Sequence, residues 1–120
     1  MDKVIYIFIG FIVIEHFLFL YLEMFLWTSK KGRKIFAMSN DDAQTTKVLA
    51  GNQGLYNGFL AVGLLWGVWY PNIQASRDII LFFLTCILIA GIYGGLTAKK
   101  SILYVQALPA LCTMLLMLAL

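Results

Sequence analysis

Charge is what this chain has least of. Only 12% of its 120 residues are charged, where a soluble domain carries about 25%. That shortage, with 62% hydrophobic residues, excludes an ordinary water-soluble domain. There is a single histidine, and the two cysteines, Cys86 and Cys112, lie in apolar stretches with no C-x-x-C or Cys/His spacing. Both read as small buried apolar residues, and no metal site or cofactor is expected. G-x-x-x-x-G-K-[ST], G-x-S-x-G and H-E-x-x-H are all absent, so none of the common signatures of soluble enzymes is present.

What the chain has instead is apolar length. Four segments, 4–27, 48–70, 79–98 and 102–120, each approach the about 20 residues that cross a bilayer as a helix. They predict an all-α membrane protein, an antiparallel four-helix bundle forming one transmembrane domain over 1–120. The first segment is too long for a cleavable signal peptide, carries ionisable groups and lacks an A-x-A-like site. Its 16 Leu, Ile, Val and Phe residues favour insertion by roughly 5–10 kcal/mol in total. Its ionisable groups cost a similar amount, so partners on other helices are expected.

The net charge of +3 does not point to nucleic acid, because the bases are gathered in loops. Lys30, Lys31, Arg33, Lys34 and Lys47 fall in the loop 28–47, and Lys99 and Lys100 in the third loop. Only Lys3 and Arg77 lie on the other side. This bias assigns the first and third loops to the cytoplasm and both termini to the outside. Residues 30–38 mix four bases with Ile35, Phe36 and Met38. They fit either a short segment lying on anionic headgroups or a solvated positive-inside loop. Ser39 or Asn40 can cap a second helix starting near Asp41, with Asp41 and Asp42 at the positive end of its dipole. That helix ends at Pro71-Asn72, behind the interfacial aromatics Trp66, Trp69 and Tyr70.

The chemistry-bearing residues sit where a bilayer makes them costly. Glu15 and His16 occupy the middle of the first span, where a charge costs about 2.5–3.5 kcal/mol on insertion scales. Steps of about 100° per residue put His16 and Glu23 on one face, roughly 10.5 Å apart along the axis. Glu15 points about 100° away. On the second span Asn52, Gln53, Tyr56 and Asn57 form a polar wedge of about 140°, opposite Gly51, Gly54, Gly58 and Ala61. The small face permits close packing, and the amides need partners. Tyr93 and Thr97 share a stripe on the third span, and Gly91 and Gly95 allow another close approach.

The runs Glu15-His16, Leu22-Glu23-Met24-Phe25-Leu26-Trp27, Asn52-Gln53-Gly54-Leu55-Tyr56-Asn57-Gly58 and Gly91-Ile92-Tyr93-Gly94-Gly95 carry a resemblance. The chain resembles the domain-of-unknown-function thirteen-zero-four family of small bacterial integral membrane proteins, over almost its whole length. The resemblance implies four spans and the bacterial cytoplasmic membrane. It implies no established activity.

Three functions are compatible with these residues. The first is a polar intramembrane pocket toward the cytoplasmic side, binding or acting on a small amphipathic or lipid-like ligand. His16 and Glu23 would be its acid/base groups, and Glu15, Asn52, Gln53, Tyr56, Asn57, Tyr93 and Thr97 would bind the ligand. The second is a small proton-coupled transporter working as a homodimer, by functional analogy with the small multidrug resistance exporters, whose wider pattern this chain does not follow. The third is a structural or regulatory subunit knitted by its polar groups. The expected partners are membrane lipids and a second copy through the glycine faces.

Overall fold

The computed structural model describes residues 1–120 and is entirely helical. The helices are α1 (Lys3–Phe25), α2 (Lys30–Ile35), α3 (Asn40–Trp69), α4 (Ile73–Thr97), α5 (Lys100–Ile102) and α6 (Leu108–Ala119), with a π-helical turn, Leu103–Ala107, joining the last two. Lys100–Ala119 therefore forms one 20-residue helix. This helix, α1 and α4 are long and apolar enough to cross a membrane. The second expected span lies within α3, which is longer, with 30 residues, but does not meet that measure of apolarity. Its first turns carry Asp41, Asp42, Gln44, Thr45, Thr46 and Lys47, and its middle turns are diluted by Asn52, Gln53 and Asn57.

Local chemistry places the helix ends. Ser39 Oγ accepts from the Asp42 N–H at 3.1 Å, so α3 starts at Asn40 as its cap allows. Asn72 caps α4 by accepting from the Ala75 N–H at 2.9 Å, which starts that helix six residues before the expected apolar boundary at 79. Hydropathy missed this turn because its residues, Gln74, Ser76, Arg77 and Asp78, are polar. Pro71 lies just beyond the end of α3, where a helix cannot continue through it.

The chain divides into two compact units, Met1–Val13 with Leu60–Leu120, and Ile14–Phe59. The first unit has an aliphatic core. Ile5, Ile9, Ile12 and Val13 cluster with Ala61, Leu64, Ile80, Leu84, Ile87, Ala110 and Met117. Its helices approach closely at glycines. Gly63 of α3 lies against the Phe83 ring and Gly67 against Ile80, so α3 and α4 run in opposite directions. Ser76 Oγ donates to the Gly67 carbonyl at 2.7 Å and ties the turn between them. Gly95 faces Leu103, Gly91 faces Ala107, and Arg77 donates to the Met117 carbonyl at 2.7 Å, so α4 is also antiparallel to the last helix.

The π turn has a local cause. Pro109 has no N–H for the Val105 carbonyl, and its ring crowds that carbonyl. Widening the preceding turn relieves the crowding, and the Leu108 N–H bonds to Leu103 O instead. The widened turn also carries the Ala107 backbone against Gly91. A Cβ on Gly91 would meet Ala107 N at 2.5 Å and its Cα at 2.8 Å.

The second unit contains the junction from α1 to α3. Ser29 caps α2, accepting from the Gly32 N–H at 3.0 Å and donating to the Leu26 carbonyl at 2.7 Å. Gly32 packs directly on that carbonyl, leaving no room for a side chain. At the other end of α2 the Met38 N–H reaches Arg33 O at 2.9 Å and the Ala37 N–H reaches Lys34 O at 3.4 Å. This is a Schellman closure, with Ala37 left-handed at φ 52° where glycine is the usual residue.

Two outcomes check these packing assignments by unfolding the detergent-solubilised protein. Gly91→Ala lowers stability by about 1–3 kcal/mol, because backbone rather than a flexible side chain blocks the added methyl. Unchanged stability would mean that α4 and the π turn separate freely. Ala37→Gly raises stability by about 1 kcal/mol by removing the left-handed Cβ penalty.

Candidate functional site

On a helix that is apolar nearly all round, polar residues mark the inward face. Ile5, Ile9, Ile12, His16 and Glu23 of α1 are buried at spacings of four, three, four and seven. His16 and Glu23 thus share one seam, as the 100° step predicts. His16 is wholly buried, its ring edge-on to Phe19 with centroids 5.4 Å apart. Glu23 is only 6% exposed.

The matching seam of α3 is Ala43, Ala50, Gly54, Asn57, Ala61 and Leu64, spaced alternately by three and four after the first step of seven. In the second unit these two helices meet at Glu23. Asn57 Nδ2 donates to Glu23 Oε1 at 2.6 Å, a buried side-chain hydrogen bond between residues 34 apart in sequence. Gly54 makes it reachable. A Cβ there would lie 3.0 Å from Glu23 Cβ and 3.2 Å from Leu20 O. One turn on, Gly58 takes the Leu20 side chain. The Gly54 and Gly58 face is therefore filled by α1 of the same chain, and the Gly91 and Gly95 face by the last helix.

Asn57 belongs with the small residues, not with the other amides. Asn52, Gln53 and Tyr56 are exposed, Tyr56 at 55%. The wedge drawn from sequence is thus split. Its one-sided edge, Asn57, joins the buried seam, while the rest faces outward. Asn57 stands seven residues from both Ala50 and Leu64, a spacing that could have identified it. Tyr93 and Thr97 belong to the other unit and are also exposed. The Thr97 hydroxyl is used within its own helix, donating to Tyr93 O at 2.7 Å.

Glu15 differs from Glu23. It is buried, and neither carboxyl oxygen has a hydrogen-bond partner. Buried polar groups are nearly always paired, so an orphan of this kind calls for an explanation. Two surface grooves of the first unit lie elsewhere. One is lined by Ile7, Phe8, Phe11, Leu108, Pro109 and Cys112, the other by Trp66, Asp78, Ile79, Phe82 and Phe83. Neither includes a candidate acid/base or ligand-binding residue named from the sequence, although Cys112 and Trp66 line one each. Chemically, α1 carries one carboxyl held by an amide, one without a partner, and one imidazole.

The Glu23–Asn57 bond is testable by a double-mutant cycle in unfolding. Asn57→Leu alone strands a buried carboxyl and costs about 1–3 kcal/mol. Adding Glu23→Leu recovers most of that loss, because both polar partners are then gone. If the double variant is as unstable as the sum of the singles, the two side chains do not act as a pair.

Comparison with known proteins identifies relatives of the chain. Residues 10–118 match the family described as Protein of unknown function (DUF1304). The "Uncharacterized protein YpaA" of Lactococcus lactis subsp. lactis (strain IL1403) is 32% identical over 97 residues, covering 79% of this chain and 80% of that protein. No solved structure matches. With the match running through both carboxyls, the histidine and the glycine seams, the chain belongs to the DUF1304 family.

Proposed function

We propose that this chain is a multi-pass protein of the bacterial cytoplasmic membrane that binds the polar head of a small amphipathic or lipid-like molecule at the acid–base group of α1. In this reading α1, α3, α4 and the last helix form one antiparallel bundle with both termini outside. The basic loop lies on the cytoplasmic side, following the positive-inside bias. The bacterial relative supports the bacterial setting.

One observation carries the binding reading. The Glu15 carboxyl is buried without a hydrogen-bond partner. A buried carboxyl of that kind is destabilising by about 1–3 kcal/mol in mutational comparisons, so its retention needs a use. A ligand hydroxyl or amine would supply the missing donor. His16, adjacent in sequence, is the nearer group able to exchange a proton with it, while Glu23, held in one orientation by Asn57, lies about two turns further along α1. The exposed Asn52, Gln53 and Tyr56 take no part in holding Glu23.

The same orphan carboxyl favours a second reading, a small proton-coupled transporter working as a homodimer. A carboxyl without a fixed partner can be handed between a proton and a cationic substrate.

Glu15→Leu separates function from scaffold. The variant is expected to unfold about 1–3 kcal/mol later than the parent, because it removes an unpaired buried polar group. It should also lose, by at least about tenfold, any amphipathic molecule that copurifies with the parent from membranes, read by mass spectrometry of the extract. His16→Ala should lose it too while staying folded. Equal ligand recovery in all three proteins, or a destabilised Glu15→Leu, would overturn the binding reading. Proton release on adding a lipophilic cation, absent in Glu15→Gln, would select the transporter.

A further inference from the structure

The α1–α2 junction presents a group of cations whose position is held by the chain itself. Four of the six residues of α2 are basic: Lys30, Lys31, Arg33 and Lys34. The three lysines are exposed, and Arg33 is half-buried. Such a helix is poorly suited to stand alone. Six residues are far below the about 12–15 at which isolated helices become marginal. Lys30 and Lys34 are like charges four apart, and Lys30 and Lys31 sit at the positive end of the dipole. The helix is nevertheless anchored at both ends, by the Ser29 cap and Gly32 on the Leu26 carbonyl, and by the closure at Ala37. Trp27 secures it further, packing on Phe36 with ring centroids 4.7 Å apart and donating from Nε1 to Thr46 Oγ1 at 3.0 Å.

Its depth follows from α1. A 23-residue apolar helix is roughly 35 Å long, so its end at Phe25 lies at a membrane surface and α2 begins five residues later. Trp27 is a residue type that favours that surface. Ile35, on the same short helix, is 50% exposed and can dip toward the acyl chains.

One atom distinguishes this helix from a solvated positive-inside loop. Arg33 Nε is buried and has no hydrogen-bond partner. A solvated loop has no reason to bury a guanidinium N–H without an acceptor. Nε is closed to solvent where it stands and meets a phosphodiester oxygen when the half-buried Arg33 side chain turns outward beside the lysines, whose charge the headgroup then offsets.

We infer that α2 is a binding site for the headgroup phosphate of anionic phospholipids, with Arg33 as the directional donor and Lys30, Lys31 and Lys34 as the surrounding field. This site is separate from the carboxyl group of α1, and its test uses different residues.

The full chain is placed in phosphatidylcholine nanodiscs containing a trace of spin-labelled phosphatidylglycerol or phosphatidylcholine, and the immobilised fraction is compared. Both bilayer faces are open to lipid exchange there, so a change of insertion direction cannot mask the result. The parent is expected to favour phosphatidylglycerol by about tenfold at low salt, since each nearby base contributes severalfold. Combining Lys30→Gln, Lys31→Gln and Lys34→Gln brings the preference below about twofold. Arg33→Lys, which keeps the charge but removes Nε, lowers it by about threefold. Lys99→Gln with Lys100→Gln leaves it unchanged. No preference in the parent, a preference surviving the triple change, or an equal loss in the Lys99 and Lys100 variant would overturn the inference. So would displacement by inorganic phosphate beyond that by chloride of equal ionic strength, which would indicate a site for free phosphate.

Discussion

Inside hydrocarbon no solvent satisfies a polar side chain, so every such group must find its partner within the protein. Much of this fold follows from that constraint. Glu23 cannot reach a donor on its own helix, and its donor, Asn57, is 34 residues away. The bond forms because Gly54 lets the backbone of α3 settle against Leu20 and Glu23 of α1, with Gly58 accepting the Leu20 side chain. The hydrogen bond and the glycines are one device. Without the close approach the amide falls short of the carboxyl, and without the bond the glycines only weaken a helix.

The same constraint is met differently in the other unit. Threonine hydroxyls turn back on their own helices, Thr85 to Leu81 O, Thr97 to Tyr93 O and Thr113 to Pro109 O, each at 2.7 Å. Ser76 and Arg77 reach carbonyls of neighbouring helices. Pro109 removes a backbone donor, and the π turn before it reroutes the bonding. Among so many satisfied groups, two side chains stand apart: the carboxyl of Glu15 and Nε of Arg33. One lies within a span and the other beside its end. They carry the two functional readings because the rest of the molecule is so well paired.

Much of the fold was legible in the amino-acid order alone. Apolar length marked the helices, and Ser39, Pro71 and Asn72 marked where two of them begin or end. The shared face of His16 and Glu23 followed from their spacing of seven, because an α-helix repeats its direction nearly every seven residues. Other features were not legible. The amides of α3 suggested one polar wedge, yet Asn57 turned inward with Ala50, Gly54 and Ala61 while Asn52, Gln53 and Tyr56 stayed out. A run of adjacent polar residues is ambiguous about which of them faces a neighbour. The π turn was also hidden, although Pro109 made some distortion necessary.

By itself, then, the sequence determined that the chain is helical, apolar along most of its length and furnished with ionisable groups where water is scarce. Those properties depend on composition and on the local period of the helix. Only the tertiary structure decided which polar groups are satisfied. Pairing Glu23 with Asn57, leaving Glu15 without a donor and turning the lysines of α2 outward all depend on how one helix meets another. That meeting is set by contacts between residues far apart in the chain, which no local pattern encodes.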